Sequence, residues 1–461
     1  MIMMYRGLIV VMVFLLLFLP DFAPAQTKLV LTLENSMDYA LENNPEFKIA
    51  EKEVQKSRAG VWEAYSNILP QLDGTVNYQH NWKIQESTIP NFIKTMLGSA
   101  APPGMPDYVQ IAFGLENTLI YGAKVNQPLF LGGAGFAGIQ AAAAARDATE
   151  QVYEAKKQTL IYQTATAFFS CLLTKELIAV QEEALAEAQA NLDLVLKKYN
   201  VGMASGFDKM RAQVDVANSQ PVLIAAKNNY RLAMTQLRTI LGLEKDVEIE
   251  VVGEFVYIEE DLKDFTLPEL QDIALQTRPE MLALKHQKII SQKQVAIARS
   301  EFLPKLFFST DYSFMAMKND LNFTQNDFSE GFYSALSLQV PLFHGFRSMK
   351  GYEKAKLDNK IFLDTEKQYV DVINAEVEVA YNNFLEGQEK FLSARETVEM
   401  AKESLRLANL MYEEGANTQL DVLTSQLALN RARLTYASSL FDYQIARYQL
   451  RKAVGKLQGV V

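Results

Sequence analysis

Few side chains in this sequence have the types and spacing that catalysis or metal binding would need. The three histidines, His80, His286 and His344, are far apart in sequence, and none has a second ligand at a metal-binding spacing. The single cysteine, Cys171, lies in an apolar helical stretch and is expected to be a small core residue. No nucleophile, base and orienting group occur together in a repeated pattern. The sequence therefore predicts no catalytic residue, no metal site and no cofactor.

One glycine-rich motif suggests a nucleotide site. Residues 133–138 have the sequence Gly-Ala-Gly-Phe-Ala-Gly between a predicted strand and a predicted helix, which is the context of a dinucleotide fingerprint. The preceding strand carries Lys124 and Asn126, unlike the apolar buried strand of a parallel sheet. The related segment at 345–348, Gly-Phe-Arg-Ser, lacks the fingerprint. We therefore interpret the glycines as residues that permit a tight strand-to-helix junction.

Two aspartates occur at matched positions. Two segments share the pattern Tyr-x-x-Gly with Asp six residues after the glycine: Tyr199, Gly202 and Asp208, and Tyr412, Gly415 and Asp421. Glycine allows two helices to be joined by a tight turn. Aspartate is also a favoured residue at a helix N-cap. One interpretation of Asp208 and Asp421 is therefore a capping role, which is compatible with a role at a site.

The N-terminus and the charge indicate export and exclude one class of partner. A basic residue at Arg6, an apolar run from Leu8 to Leu19 and Ala23-Pro24-Ala25 predict a secretory signal peptide at 1–25. The apolar run is too short to span a bilayer, although a membrane anchor is the alternative. Residue 26 is glutamine, so no lipid-carrying cysteine is expected there. The net charge of −10 argues against nucleic-acid binding.

The chain is internally duplicated. Leu69-Pro70 recurs as Leu303-Pro304 at an offset of 234, whereas the Pro-Leu-Phe at 128–130 recurs at 341–343 at an offset of 213. The first copy therefore holds 21 extra residues, and Ser87–Asp107, rich in proline and glycine, is predicted to be a loop insertion of that length. The predicted repeats are 26–242 and 266–461, joined by a segment at 243–265.

Each copy has the same predicted order of elements: helices, a pair of strands and a long helical hairpin. Alternation of apolar and polar residues predicts β-hairpins at 71–130 and 305–343. After the insertion, apolar residues of one parity between Val109 and Val125 oppose polar residues between Gln110 and Asn126. Proline-free runs from Gly132 to Asn200 and from Gly345 to Glu413 predict helices of roughly 100 Å. With their return helices, these form helical hairpins at 132–241 and 345–458.

The strands have one apolar and one polar face, as strands of a transmembrane barrel do. Four strands cannot close a barrel, because small barrels need about eight. Closure would therefore require more than one chain, with two chains giving 8 strands and three giving 12. A helical hairpin attached to each strand pair would extend such a barrel into a long tube that bridges two compartments.

The duplicated motifs resemble those of the outer membrane efflux protein family, the family of TolC-like channels. They comprise the two Tyr-x-x-Gly…Asp turns and a Pro-Leu-Phe followed by glycine at each strand-to-helix junction. The junction residues are Pro128, Phe130 and Gly132 in the first copy and Pro341, Phe343 and Gly345 in the second. The resemblance implies a mainly α fold with a membrane β-barrel part: a trimeric 12-stranded barrel, four strands per chain, continued by a long antiparallel α-helical barrel.

The resemblance also implies a function and partners. The expected function is a passive exit duct of a tripartite efflux or type I secretion system, in the outer membrane of a Gram-negative-type bacterium with its helical barrel in the periplasm. The expected partners are two further copies, a periplasmic adaptor protein, an inner-membrane pump of the RND or ABC type, and outer-membrane lipid. The alternative is a periplasmic coiled-coil scaffold without channel activity. The loops at Ser87–Asp107 and Asn319–Asp327 are expected to be extracellular.

Site residues are implied by the same resemblance. The two Tyr-x-x-Gly…Asp turns correspond to a periplasmic tip that closes the channel and docks the adaptor. Their residues are Tyr199, Gly202 and Asp208 in the first copy and Tyr412, Gly415 and Asp421 in the second. Asp421 corresponds to an aspartate at the pore constriction, where threefold symmetry would produce an acidic ring. Asp208 and Tyr412 correspond to members of the network that holds the tip shut. Two positions depart from the family pattern: Asn417 replaces an arginine of that network, and Thr424 replaces a second constriction aspartate.

Overall fold

A computed structural model describes residues 28–245 and 247–457. The signal peptide predicted at 1–25 lies outside these residues. Along the described chain, no helix is both long and apolar enough to cross a bilayer. The chain divides into two compact units, one comprising the described residues up to Glu53, Glu150–Ala283 and Lys367 onward, and the other comprising Val54–Thr149 and Leu284–Glu366.

The elements of the two copies follow the same order. The first copy contains β1 (Leu29–Leu31), α1 (Leu33–Asn43), α2 (Pro45–Ser66), β2 (Gln71–His80), β3 (Glu86–Pro90), α3 (Phe92–Leu97), β4 (Tyr108–Ala112), β5 (Asn117–Leu131), α4 (Ala134–Asn200) and α5 (Gly206–Leu241). The remainder contains β6 (Ile249–Val251), α6 (Leu267–Thr277), α7 (Pro279–Ser300), β7 (Lys305–Lys318), β8 (Ser329–Gln339), α8 (Arg347–Glu413) and α9 (Gln419–Ala453). Helices α4 and α8 are each 67 residues long, so the predicted pair of long helices is confirmed.

The four long strands form one antiparallel sheet in the order β2-β5-β7-β8. Its register aligns apolar residues on one face, with Val76 opposite Tyr121 and Tyr121 opposite Phe314. The rings of Tyr121 and Phe314 stack with centroids 5.1 Å apart. On the other face, Lys124 lies opposite both Asp73 and Asp311. Each chain thus supplies four strands with an apolar and a polar face, as the alternation predicts.

The prediction for the insertion was wrong in two respects. Residues 87–107 are not a simple loop, because β3 and β4 form their own antiparallel ribbon with α3 between them. The strand predicted from Val109 to Asn126 is also interrupted, since β4 ends at Ala112 and β5 begins at Asn117. Gly114, with φ of 116°, lies in the break. The apolar parity is itself interrupted by Asn117, the residue at which β5 begins.

The main core lies in the first unit, where α1, β1, β6, α4 and α5 contribute buried side chains. Cys171 is fully buried there beside Phe168 and Leu172, and burial raises the pKa of its thiol to about 12. The thiol is consequently unreactive at neutral pH.

The inter-repeat segment is anchored to the second helical hairpin. The ring of Tyr257 stacks on Phe391 of α8 and Tyr443 of α9, with centroids 5.1 and 4.8 Å away. The fully buried carboxylate of Glu260 accepts hydrogen bonds from the Nε atoms of Arg447 and Arg451 at 2.8 and 2.9 Å. Two cations thus compensate the buried charge, as such a site requires.

Candidate functional site

The turn between α4 and α5, residues 201–205, is called the first turn. Gly202 has φ of 79°, a conformation that glycine adopts without strain. The amide of Met203 donates to the carbonyl of Lys198 at 2.8 Å, which satisfies an end carbonyl of α4. Ser205 is the N-cap of α5, and Asp208 completes a capping box with it. The turn is therefore closed by local hydrogen bonds at both helix ends.

The second turn, residues 414–418 between α8 and α9, repeats this geometry. Gly415 has φ of 75°, and the amide of Ala416 donates to the carbonyl of Met411 at 2.7 Å. The carboxylate of Asp421 accepts from the amide and the hydroxyl of Thr418 at 2.8 and 2.6 Å. The duplicated motif thus produces two turns of the same local structure.

The two aspartates are not N-caps, which corrects one interpretation of the sequence. Ser205 and Thr418 occupy the N-cap positions, and Asp208 and Asp421 are the third residues of their helices. Hydrogen bonds from Ser205 lower the pKa of Asp208, and those from Thr418 lower the pKa of Asp421. Both carboxylates are therefore charged at neutral pH, and the exposed Asp421 presents a negative charge at the turn.

The tyrosines of the two motifs occupy different environments. Tyr412 is only 7% exposed, whereas Tyr199 is 41% exposed. The buried cluster around Tyr412 draws on all four helices of the two hairpins: Val195, Ala212, Leu405, Ala408, Val422 and Leu429. Burial, and secondly the negative charge of Asp208, raise the pKa of Tyr412. Only the second motif therefore contributes its tyrosine to the packing between the hairpins.

Two side-chain donors beside the turns, Lys198 and Gln419, join one hairpin to the other, and Lys198 also donates to the carbonyl of Glu413 at 3.4 Å. Lys198 Nζ donates to the backbone carbonyl of Tyr412 and lies 4.2 Å from the centroid of its ring. In the opposite direction, Gln419 Nε2 donates to the carbonyl of Asp208 at 3.1 Å. Each hairpin thus supplies one donor to the other, close to its own turn.

Sequence reasoning missed both donors, although the repeat offers a signal. At the offset of 213, Lys198 corresponds to Met411 and Gln419 corresponds to Gly206. In each comparison, one copy has a polar side chain and the other copy has a residue without a side-chain donor. Such polar residues are candidates for contacts that break the internal symmetry. Lys198 and Gln419 meet that criterion.

The two residues that depart from the family pattern, Asn417 and Thr424, form hydrogen bonds within their own hairpin. Asn417 Nδ2 donates to the carbonyl of Ala408 at 3.1 Å, and the hydroxyl of Thr424 donates to the carbonyl of Asp421 at 3.0 Å. Asn417 does not take the place of the arginine contact to the first turn. Oδ1 of Asn417 and Oε1 of Gln419 are buried without a hydrogen-bond partner in the described part of the chain. The second turn therefore retains unused acceptors.

The strand-to-helix junctions share an unusual backbone. Gly132 and Gly345 have φ of 63° and 60°, and the next residues, Gly133 and Phe346, have φ of 88° and 65°. A Cβ at Gly132 would lie 2.7 Å from the carbonyl oxygen of Ser300.

The Pro-Leu-Phe residues differ between the copies. Pro128 and Phe130 lie in β5 on either side of a register shift against β7, whereas Pro341 and Phe343 follow β8 without a strand partner in the described residues. The sequence placed each motif at a junction, but this asymmetry was not predicted.

No catalytic constellation is evident around a pocket of about 660 Å³ that lies in the first unit. Its charged lining residues pair with one another, because Arg278 contacts Glu376 at 2.7 Å and Glu280 at 3.3 Å. No serine, cysteine or histidine is among its lining residues. Within the described ranges, His, Cys, Asp and Glu side chains form no group that could hold a metal ion.

A sheet with one apolar and one polar face, joined to two pairs of very long helices, defines the protomer of an outer-membrane channel. The model of the family described as "Outer membrane efflux protein" matches residues 37–243 and 270–456. The chain therefore belongs to the outer membrane efflux protein family, whose members are transport channels and not enzymes. The predicted family is confirmed, and the protein is an outer-membrane efflux channel component.

Named relatives and solved structures agree. The chain is 23% identical over 424 residues to the alkaline protease secretion protein AprF of Pseudomonas aeruginosa, covering 91% of this chain and 83% of AprF. It is 26% identical over 323 residues to TolC of Vibrio cholerae, covering 68% and 71% of the two chains. The crystal structure of the outer membrane protein VceC of Vibrio cholerae superposes with a TM-score of 0.72 at 17% identity, covering 92% of this chain and 96% of VceC.

Proposed function

We propose that three copies of this chain form a continuous exit duct through the outer membrane and periplasm, closed at its periplasmic end by the two turns. The single observation that carries the proposal is the pairing of the two-faced four-stranded sheet with two long helical hairpins in one chain. The sheet suits a barrel wall, and hairpins of this length suit a tube beyond the membrane.

The free edges of the sheet support assembly of several copies. Strands β2 and β8 are the outer strands of the described sheet, and each leaves one row of backbone groups unpaired. Unpaired edges cannot remain in a bilayer, so β8 of one copy would pair with β2 of the next. Three copies give a closed barrel of 12 strands, whose lumen would be lined by the polar face that carries Asp73, Lys124 and Asp311.

The two turns support a gate. Their aspartates are charged, and Asp421 is exposed, so three copies around an axis would place a ring of negative charge at the end of the duct. The hydrogen bonds of Lys198 and Gln419 hold the turns of one chain together. Opening requires the hairpins to separate, and these bonds resist that movement.

The names of the relatives support a proposal about partners. One relative is named for alkaline protease secretion and another, CusC of Escherichia coli, for cation efflux. Related ducts that serve such different cargoes would not themselves choose the cargo. Selection of the cargo would rest with the inner-membrane pump. We therefore propose that the turns dock a periplasmic adaptor coupled to an RND or ABC pump, and that the chain itself has no catalytic activity.

Conductance of the purified protein in planar bilayers tests this function. We expect discrete cation-preferring channels, and Asp421→Ala should reduce the cation preference because it removes the acidic ring. Asp421→Asn is the matched variant, since its amide oxygen can still accept the capping bond from Thr418 while the charge is lost. Equal loss of selectivity in both variants would assign the effect to charge. Channels unaffected by either variant would place the constriction elsewhere, and an absence of channels would favour the scaffold.

A further inference from the structure

The insertion of the first copy is an ordered structure with its polar groups used internally. Lys94 Nζ contacts the Asp107 carboxylate at 2.6 Å and the carbonyl of Met105 at 2.7 Å. Asn91 Nδ2 donates to the carbonyl of Pro106 at 3.0 Å, and its backbone amide donates to the carbonyl of Asp107 at 2.9 Å. These bonds fasten the start of α3 to the segment that leads into β4. The insertion therefore has a polar side, on which Lys94 pairs with the largely exposed carboxylate of Asp107.

The exposed face of α3 in the insertion is apolar. Phe92, Ile93 and Met96 of α3 are 67%, 63% and 90% exposed. Their spacing places them on one face of a short helix, with Lys94 turned to the bonds described above. Side chains of this size are rarely exposed together on a surface that meets only water.

The insertion also has no free charge. Lys94 and Asp107 are the only ionisable side chains in residues 87–107, and they pair with each other. In the corresponding connection of the second copy, residues 319–328, the two acids also face a cation: Lys318 at the end of β7 lies 3.0 Å from Asp327 and 3.9 Å from Asp320. A surface with paired charges and large apolar side chains suits an apolar environment better than water or a charged partner.

The insertion follows β2 in the chain, and β2 contributes to the apolar face of the four-stranded sheet. Val76 and Tyr78 of β2 lie on that face, and Trp82, two residues after the end of β2, has 93% of its surface exposed. Tryptophan and tyrosine concentrate where a membrane meets water, because their rings are apolar and their polar atoms can remain hydrated. The chain thus leaves the sheet at an aromatic position typical of the interface and then enters the insertion.

We propose, on the basis of the outer-membrane duct proposed above, that the insertion is a lipid-contacting flap. Helix α3 lies in the outer leaflet at the boundary between headgroups and acyl chains, with Phe92, Ile93 and Met96 directed into the lipid. The occupant of this face is the lipid surface rather than a second copy of the chain. Because no free charge takes part, the contact is apolar and does not weaken at high salt.

Depth-dependent fluorescence quenching tests the flap in the full-length protein. The chain has two tryptophans, Trp62 and Trp82, so Trp62→Phe and Trp82→Phe provide a dark background for one reporter at Met96→Trp. The protein is reconstituted into phosphatidylcholine vesicles whose acyl chains carry bromine either near the headgroup or near the chain end. We expect the reporter to lose most of its fluorescence with shallow bromine, less with deep bromine, and little with aqueous acrylamide, at low and high salt alike.

Two matched reporters separate the possible results. Val76→Trp on β2 reports the lipid-facing wall, and Leu321→Trp, at a position 68% exposed in the other connection, reports a loop expected in water. Quenching of the Val76→Trp reporter by bromine, with the Met96→Trp reporter quenched only by acrylamide, would overturn the flap and leave the duct intact. Quenching of the Met96→Trp reporter by neither agent would show that protein covers it and would also overturn the flap. If bromine failed to quench even the Val76→Trp reporter, the duct itself would be contradicted.

Discussion

The two helical turns of this chain have the same local structure and opposite surroundings. Both have a glycine with positive φ and a capping box completed by aspartate. Yet Tyr412 is buried between the hairpins while Tyr199 is exposed, and Lys198 and Gln419 have no polar counterpart in the other copy. Duplication thus preserved what the backbone needs to turn, while the contacts between the turns diverged. The account assigns closure of the duct to these asymmetric contacts.

Removal of the tyrosine ring should show the largest difference between the two turns. We expect Tyr412→Ala to destabilise the packing of the hairpins by about 3 kcal/mol, as large-to-small changes in a core do, because it leaves a cavity in the shared cluster. Tyr199→Ala should cost less than about 1 kcal/mol, since most exposed positions tolerate substitution. Hydrogen exchange of the amides in α8 and α9 near the turn measures both. Equal loss of protection in the two variants would contradict the asymmetry.

Exchanging Lys198 for its counterpart in the repeat tests the first bond between the turns. Lys198→Met retains the length of the side chain but removes the donor, and we expect a loss of about 1–2 kcal/mol, the range of a partly exposed charge-assisted hydrogen bond. A destabilised closed state should raise the open probability of single channels. Lys197→Met, at the exposed neighbouring position, is the control. A similar rise in the control would indicate a general effect of charge.

The glycines should behave alike, in contrast to the tyrosines. Gly202→Ala and Gly415→Ala each place a Cβ on a residue with positive φ, which costs about 1 kcal/mol. A Cβ would meet no neighbouring atom within 4 Å at either glycine, so backbone strain is the only expected cost. Thermal unfolding of the two variants should therefore shift equally. A clearly larger shift at one glycine would show that the turns differ in backbone as well as in contacts.

The second bond between the turns should contribute less than the first. Gln419→Met removes the donor to the carbonyl of Asp208, and a neutral hydrogen bond contributes about 1 kcal/mol or less. We expect a small rise in open probability, which adds to that of Lys198→Met if the bonds act independently. A double-mutant cycle of single-channel open probabilities measures the additivity. No effect of Gln419→Met alone would remove this bond from the gate.

Acid should affect both turns weakly and in the same direction. Hydrogen bonds lower the pKa of Asp208 and Asp421 in the folded chain. The charged carboxylates therefore stabilise the fold fully above the unfolded pKa of about 3.9. This stabilisation is lost as the pH falls through the lower pKa values of the folded chain. Hydrogen exchange at the turns, corrected for intrinsic rates, should be unchanged down to about pH 5 and rise below about pH 4. Asp208→Asn and Asp421→Asn should lack this rise. A transition near neutral pH would contradict the assignment.

Much of the fold was predictable because its signals are local. Proline-free runs bounded by glycine predicted helices that end at Asn200 and Glu413, where α4 and α8 end. Alternation identified four strands. The ribbon of β3 and β4 was missed, because a segment rich in proline and glycine suggests a loop and its pairing depends on contacts between residues distant in sequence.

The candidate site was predictable only in part, for the same reason. Matched spacing identified the glycines, tyrosines and aspartates of both turns. The contacts of Lys198 and Gln419 cross from one hairpin to the other, over more than 200 residues of sequence, so no local pattern encodes them. The interpretation of the two aspartates as N-caps was wrong. In each helix the N-cap is the serine or threonine three residues before the aspartate.

The most direct test of the central claim is the single-channel conductance of the purified protein in planar bilayers, compared between the wild type and the double variant Lys198→Met with Gln419→Met. We predict channels that are mostly closed in the wild type and open at least about tenfold more often in the double variant, since the two losses add to about 2 kcal/mol and 1.4 kcal/mol corresponds to a factor of ten. Channels of equal open probability would refute the two bonds as the closing contacts. An absence of channels from folded, membrane-inserted protein would contradict the duct.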